Sequence, residues 1–123
     1  MNRFLVPALL AVTLPATAAF AETGADRVDV AYEQLSQGRT AEAIAKLDNS
    51  RAVKVEDPSA LINLGTAYAR QGRTDDARAM FVAARNSDAP YYLELADGRW
   101  VDSRKAANMA LANLEKRTGL ALR

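Results

Sequence analysis

The strongest constraint on this chain is an internal repeat with a period of 34 residues. The segment Gln37-Gly38-Arg39-Thr40 recurs as Gln71-Gly72-Arg73-Thr74. Apolar and small residues recur at the same offset, in the pairs Val28 and Ile62, Val30 and Leu64, Ala43 and Ala77, and Leu47 and Phe81. A period of this length predicts supersecondary units that stack on one another and share a continuous core.

The second unit predicts two helices joined by a tight turn. Asp57-Pro58 marks the start of the first helix, because proline fixes φ in a turn where its missing N–H costs nothing. Gly72 ends this helix as the residue able to adopt positive φ, and Thr74 is expected to cap the next helix through its hydroxyl. Apolar and small residues then follow at helical spacing: Leu61, Leu64, Gly65, Tyr68, Ala69, Ala77, Met80, Phe81 and Ala84.

The first unit predicts the same arrangement with a less regular pattern. Gly38 ends its first helix, and Thr40 is expected to cap its second. Its apolar positions are Val28, Ala31, Leu35, Ala43, Ile44 and Leu47. The segment Ser50–Glu56 between the units is longer than a standard inter-repeat turn, so we interpret it as an insertion.

These residues carry a family resemblance. Leu64-Gly65, Tyr68, Gly72, Ala77, Phe81 and Ala84 fall at the spacing of the tetratricopeptide consensus. The first unit departs from that consensus at Ala31 and Gln34, as a terminal repeat with a wetter outer face would. The resemblance implies an all-α, tetratricopeptide-like α-solenoid of two helix-turn-helix repeats, at about residues 24–57 and 58–91, within a domain of residues 22–123.

Two interpretations of residues 91–101 are open. An aromatic run from Tyr91, the turn signal Asp97-Gly98 and the segment from Arg99 resemble a short β-hairpin or extended segment. A two-stranded ribbon alone is marginal in water, so it would lie against the helices through Trp100 and one tyrosine. Alternatively, Gly98 and Trp100 mark the turn of a third, eroded repeat.

A last helix is predicted over about residues 102–118, where it caps the stack. Asp102 and Ser103 can cap its N-terminus, and Gly119 is expected just beyond its end. Its inner side is predicted to contain Ala106, Met109, Ala110 and Leu114, with Asn113 at the edge of this stripe.

The N-terminus predicts a cleavable export signal at residues 1–21. Arg3 provides a short basic region, an uncharged stretch from Phe4 to Ala19 follows, and cleavage after Ala21 would leave Glu22 first. A retained membrane anchor is the alternative, although the apolar run is shorter than the roughly 20 residues of a spanning helix. Cleavage predicts a periplasmic or secreted protein without stable membrane insertion.

Charge and residue content exclude several classes of function. Of 16 Lys and Arg residues only Arg3 lies in the signal, which leaves 15 basic against 15 acidic side chains, interleaved along the chain. This pattern argues against nucleic-acid binding. The chain contains no His and no Cys, so the commonest general base, the usual zinc ligands and the thiol nucleophile are missing. We therefore predict no enzymatic activity, no metal and no cofactor.

The resemblance also implies a function and a binding surface. In tetratricopeptide proteins the first helix of each hairpin lines a concave groove that grips extended peptides. Carried over by position, the groove residues would be Asn63, Arg70, Thr66 and Ser59 in the second repeat and Asp29 and Tyr32 in the first. We therefore expect an exported scaffold that binds a protein or peptide partner, with a structural or assembly subunit of an envelope complex as the alternative.

Overall fold

The computed structural model describes residues 30–121, with the backbone alone for the last two of these. The predicted signal at residues 1–21 with its cleavage site between Ala21 and Glu22, the beginning of the first repeat with Asp29, and residues 122 and 123 lie outside the described residues. The described chain forms, in order, α1 Tyr32–Ser36, α2 Thr40–Leu47, α3 Arg51–Lys54, α4 Pro58–Arg70, α5 Thr74–Arg85, β1 Tyr92–Glu94, β2 Trp100–Asp102 and α6 Ser103–Ala121.

The second repeat consists of α4 and α5 packed against each other. The Asp57 carboxylate accepts a hydrogen bond from the Ala60 N–H at 2.9 Å and caps α4. Gly72 adopts φ 75° after α4 and lets the chain reverse into α5. The helices approach so closely at Gly65 that a Cβ atom there would lie 2.6 Å from the ring of Phe81. Glycine at this position therefore sets the distance between the two helices.

Within the described part of the first repeat, which begins at residue 30, the helices are shorter than those of the second repeat. Ala31 is fully buried but has φ 55°, so α1 begins only at Tyr32 and the predicted helical face does not include Ala31. The second helix divides into α2 and α3 at Asp48–Ser50, three residues that favour caps and turns over helix interiors. The Ser50 hydroxyl accepts from the Val53 N–H at 3.2 Å and starts α3. The segment interpreted as an insertion is thus largely a separate helical turn.

The predicted threonine caps are wrong at both turns. Thr40 and Thr74 are the first helical residues of α2 and α5, and neither side chain makes a capping hydrogen bond. The preceding Arg39 and Arg73 occupy the N-cap positions, and their guanidinium groups pair with Glu42 and with Asp76 three residues later. The left-handed glycine brings the chain into the helix one residue earlier than the threonine pattern suggested.

Residues 91–102 form a β-hairpin, which settles the choice between the two interpretations. Leu93 pairs with Val101 across the antiparallel ribbon, and Val101 is buried against the helices. Tyr92 and Trp100 point to the opposite face and are 69% and 64% exposed. The predicted contact through Trp100 is therefore wrong, because alternation along the strand turns Val101 inward and Trp100 outward.

α6 closes the helical layer by packing on both α5 and α4. The Asp102 carboxylate accepts a hydrogen bond from the Arg104 N–H at 2.9 Å and caps the N-terminus of α6. Its buried residues are Ser103, Ala106, Ala107, Leu111 and Leu114, whereas Met109 and Ala110 are half-buried. The helix was predicted to stop before Gly119 but continues through it to Ala121. One glycine costs a helix only about 1 kcal/mol, and no proline follows to end it.

The core joins both repeats and α6. The residues predicted to build the repeats are buried where they were expected to pack, namely Ala43, Leu47, Leu64, Gly65, Tyr68, Ala77, Phe81 and Ala84. Gly38 and Gly72 instead lie exposed at the two turns, with φ of 73° and 75°. A small satellite core of Leu61, Ala84 and Ala107 fastens α6 to the second repeat.

Candidate functional site

A concave groove lies between three helices and the hairpin. Its cavity of about 450 Å³ is bordered by α1, α4, α6, β1 and the turn that follows β1. Apolar side chains dominate its walls, and Arg70 and Glu94 are the two charged residues that border it. The apolar lining consists of Val30, Leu35, Ile62, Leu93, Leu95, Ala96, Ala106, Met109 and Ala110.

The structure brings five of the six predicted binding residues to this groove. Four of them lie along α4, at Ser59, Asn63, Thr66 and Arg70, and Tyr32 borders the cavity from α1. These α4 positions share one face because they are separated by three or four residues. Asp29, the sixth, lies outside the described residues.

The polar groups on α4 already make hydrogen bonds within the chain. The Asn63 amide nitrogen donates to the Val30 carbonyl at 2.8 Å, and an Arg70 guanidinium nitrogen donates to the Leu35 carbonyl at 2.8 Å. Both bonds hold the backbone of the short α1 region against α4. The Asn63 side-chain oxygen and its second N–H stay available, so this amide has less capacity for a ligand than a free one.

The hairpin is attached at the N-terminal end of α4. The Tyr91 hydroxyl lies 2.7 Å from the Ser59 hydroxyl and 3.1 Å from a carboxylate oxygen of Asp57. Burial raises the pKa of Tyr91, so this hydroxyl remains protonated at physiological pH. At the base of the hairpin the Ser103 hydroxyl accepts from the Tyr91 N–H at 3.2 Å. These contacts place β1 as a wall across one end of the groove.

A second polar network connects the two repeats away from the groove. The Tyr68 hydroxyl donates to the Asp48 carboxylate at 2.7 Å, and the Arg73 guanidinium lies 4.2 Å from the centre of the Tyr68 ring. Burial, with the Asp48 carboxylate as a further cause, raises the pKa of Tyr68 to about 12. This network fixes α4 against the end of α2.

Residue spacing alone did not reveal how much of the groove α6 contributes. Ala106, Met109 and Ala110 were predicted as the inner side of a helix that closes the stack, but they line the cavity, and Asn113 does too. The hairpin residues Leu93–Ala96 were not predicted there at all. The spacing of three and four residues along α6 matches that of the groove residues on α4, and this match could have indicated the α6 residues but not those of the hairpin.

The described residues show neither a metal cluster nor a membrane span. Within residues 30–121, no group of three or more acidic side chains is placed to hold a metal ion. In the same part of the chain, none of the helices has both the length and the hydrophobicity needed to cross a membrane.

Comparison with known families agrees with this geometry. The model of the tetratricopeptide repeat family matches residues 34–97, which is more than half of the chain. The chain belongs to the tetratricopeptide repeat family. Tetratricopeptide repeats typically serve as non-enzymatic modules for protein–protein interaction. No curated protein and no solved structure matches the chain significantly. The matched residues of this tetratricopeptide repeat protein end before α6, although α6 forms one side of the groove.

Proposed function

We propose that this protein is an exported scaffold that binds an extended segment of a partner protein in the groove between α1, α4 and α6. The observation that carries the proposal is the groove itself, whose lining includes the five predicted binding residues that the structure describes. No reaction of its own is part of the proposal, in keeping with the absence of His and Cys.

The chemistry of the groove supports an extended polypeptide as the ligand. Apolar side chains such as Ile62, Leu93 and Met109 can receive the side chains of a partner. The Asn63 side-chain oxygen can accept from a backbone N–H of that partner. A mostly apolar concave surface with a few oriented polar groups is typical of binding sites.

A pair of arginine substitutions on α6 tests the groove. Ala110 borders the cavity, whereas Ala112 is exposed and lies outside it. An arginine at position 110 would fill the cavity, and at position 112 it would extend into solvent. We expect crosslinking of the tagged protein in its native compartment to lose its partner with Ala110→Arg and to keep it with Ala112→Arg.

Thermal unfolding of both variants checks that Ala110→Arg remains folded. Capture of the same partner by folded Ala110→Arg would show that the groove is not the binding surface.

Export is a separate part of the proposal and needs its own measurement. We expect the mature protein to begin at Glu22, in the periplasm or outside the cell. N-terminal sequencing of the protein recovered from its native host measures this directly. A chain that still begins at Met1 and fractionates with membranes would support the retained anchor instead.

The exposed hairpin face favours a second candidate function as an assembly subunit. Tyr92 and Trp100 lie on the same outer face of the ribbon, and both are about two-thirds exposed. Large aromatic side chains dominate the energetics of many protein interfaces. If the protein assembles with itself through this face, sedimentation at micromolar concentrations will show oligomers that Trp100→Ser removes. A monomer across that range would leave the groove as the better candidate.

A further inference from the structure

The groove is bordered by two helices that carry the same pattern of positions. On each helix the residues that line the main cavity begin with intervals of three, one and three. An arginine four positions further along lines the smaller pocket, together with Ala69 on α4 and Leu114 on α6. The stripe on α4 is Ser59, Ile62, Asn63, Thr66 and Arg70, and the stripe on α6 is Ala106, Met109, Ala110, Asn113 and Arg117. Both stripes begin with a small residue near the hairpin and end with an arginine.

The two arginines line a smaller pocket that continues the groove. This pocket has a volume of about 270 Å³ and is lined by both Arg70 and Arg117 and by no acidic residue. It shares Thr66, Arg70, Ala110 and Asn113 with the main cavity. Neither arginine forms an ion pair with a carboxylate of residues 30–121. This end of the groove is therefore positively charged without local compensation.

The opposite end of the groove lies at the hairpin. Glu94 borders the cavity there, but it pairs with Trp100 across the ribbon, so its side chain belongs to the outer face. No Lys or Arg of the described residues forms an ion pair with Glu94. Between the two ends the lining is apolar or neutral.

Helix geometry gives the length of the segment that would fit. Ser59 and Arg70 are separated by 11 residues along α4, which corresponds to about 16 Å. An extended chain advances about 3.3 Å per residue, so about five residues of a partner span this distance. The smaller pocket continues the groove at the arginines, so the partner chain can run on past them and does not have to end there.

We infer that the groove selects an internal acidic side chain of its partner, bound between Arg70 and Arg117 and adjoining about five mainly apolar residues that lie along the groove towards the hairpin. This inference rests on the proposed function of the groove and adds the chemistry of the partner segment. Charge complementarity is its basis, since an arginine pair binds a carboxylate in a geometry that a neutral side chain cannot reproduce.

Synthetic peptides of defined charge test the inference. The probe is a peptide of about seven residues, with both termini blocked, in which two glutamates precede alternating leucine and alanine. In the second peptide two glutamines replace the glutamates. Isothermal calorimetry with the purified protein measures both affinities. We expect the glutamate peptide to bind about tenfold more tightly and to weaken as NaCl rises from about 50 to about 300 mM. Equal affinity for the glutamine peptide would overturn the inference.

Substitutions on α6 test whether the arginine end of the groove causes the preference for the glutamate peptide. Arg117→Gln should weaken binding of the glutamate peptide about fivefold and leave the glutamine peptide unchanged. The exposed neighbour Lys116 lines neither pocket, so Lys116→Gln is the matched control and should change neither affinity. An equal loss in the two variants would mean that general surface charge, and not this end of the groove, attracts the peptide.

Three further outcomes separate this inference from the proposed function. If Ala110→Arg abolishes binding of both peptides while their affinities for the unmodified protein are equal, the groove binds peptides but does not select an acid. If a peptide with a free C-terminal carboxylate and no glutamate binds more tightly than the blocked glutamate peptide, the acid is a chain terminus and the internal segment is refuted. If no peptide binds, the inference fails, whereas partner capture compared between Ala110→Arg and Ala112→Arg still decides the proposed function.

Discussion

The two repeats have nearly the same turn but build very different hairpins around it. In the second repeat α4 and α5 contain 13 and 12 residues, whereas α1 and α2 in the first contain 5 and 8. The turn sequences agree at four consecutive positions, so the turn does not cause the difference. What differs is the contact between the helices. Phe81 packs directly on Gly65, and at the equivalent positions the first repeat has Leu47 and Ala31.

This difference shows which part of a repeat is local and which part depends on packing. A glycine in the left-handed conformation can end a helix without help from the rest of the fold. A helix of three turns, in contrast, gains most of its stability from the face that it buries. The two helices differ in the same way at the groove. The long α4 forms its floor, whereas the short α1 is held in place by hydrogen bonds from Asn63 and Arg70.

The largest expected effect comes from removing the aromatic ring that packs on Gly65. Phe81→Ala should lower the free energy of unfolding by about 4 kcal/mol, because it removes a buried ring that packs closely on Gly65. The equivalent Leu47→Ala should lower it by about 3 kcal/mol, since the smaller side chain leaves a smaller cavity. Urea unfolding measures both. A larger loss at Leu47 would mean that the first repeat holds the core together.

The next comparison uses two single variants, in which position 65 receives the alanine of position 31 and position 31 receives the glycine of position 65. Gly65→Ala should cost about 1–3 kcal/mol, because the new methyl group would collide with the Phe81 ring and outweigh the better helix propensity of alanine. Ala31→Gly should change stability by less than about 0.5 kcal/mol, since glycine accepts φ 55° without strain but loses a buried methyl group.

A double variant serves as the control for Gly65→Ala. Combining it with Phe81→Leu should cost less than the sum of the two single changes, because the smaller side chain leaves room for the methyl group. Additive losses would show that steric collision is not the cause.

The bond from Tyr68 to Asp48 tests whether the second repeat supports the broken helix of the first. Tyr68→Phe should lower the free energy of unfolding by about 1.5 kcal/mol, because it removes a hydrogen bond to a carboxylate. In an Asp48→Ala background the same change should cost much less. A double-mutant cycle by urea unfolding gives the coupling energy directly. A coupling of zero would mean that the two repeats are joined by apolar packing alone.

The same tyrosine predicts a dependence on pH. Its pKa is about 12 in the folded protein against 10.0 for an ordinary tyrosine, so the folded state favours the protonated hydroxyl. The resulting stability is present below pH 10 and is lost as the pH rises towards and through 12. The stability difference between the unmodified protein and Tyr68→Phe should therefore shrink above pH 10. A constant difference up to pH 12 would contradict the assigned cause.

Local signals predicted well those elements that depend on local chemistry. The helix start at Asp57-Pro58, the two glycine turns and the hairpin turn at Asp97-Gly98 all depend on neighbouring residues, and the structure has them where the sequence indicated. The threonine caps are the exception among these local signals. The sequence could not tell which side of the ribbon would face the helices, because Trp100 and Val101 are both apolar and differ by one position. That choice depends on the register of the ribbon and on its attachment through Tyr91.

The groove was predictable only in part for a similar reason. Family resemblance pointed to the α4 residues, and the structure brings them together. The contribution of α6 depends on where the hairpin ends and how α6 then packs on α5, which are long-range facts. Likewise, the bonds from Asn63 to Val30 and from Arg70 to Leu35 could not be foreseen, because they depend on the late start of α1 at Tyr32.

The last expected effect is one that should be equal in both repeats. Gly38→Ala and Gly72→Ala should each lower the free energy of unfolding by about 1 kcal/mol, because a Cβ atom is disfavoured at φ 73° and φ 75°. A Cβ atom at either position would meet no other atom within 4 Å, so the backbone cost is not mixed with a packing cost. Urea unfolding of the two variants tests whether the turn is an independent local unit. Gly38→Ala could instead lower the free energy of unfolding by at least about 0.5 kcal/mol less than Gly72→Ala does. The first turn would then open before the rest of the protein unfolds, and the difference between the repeats would extend to their turns.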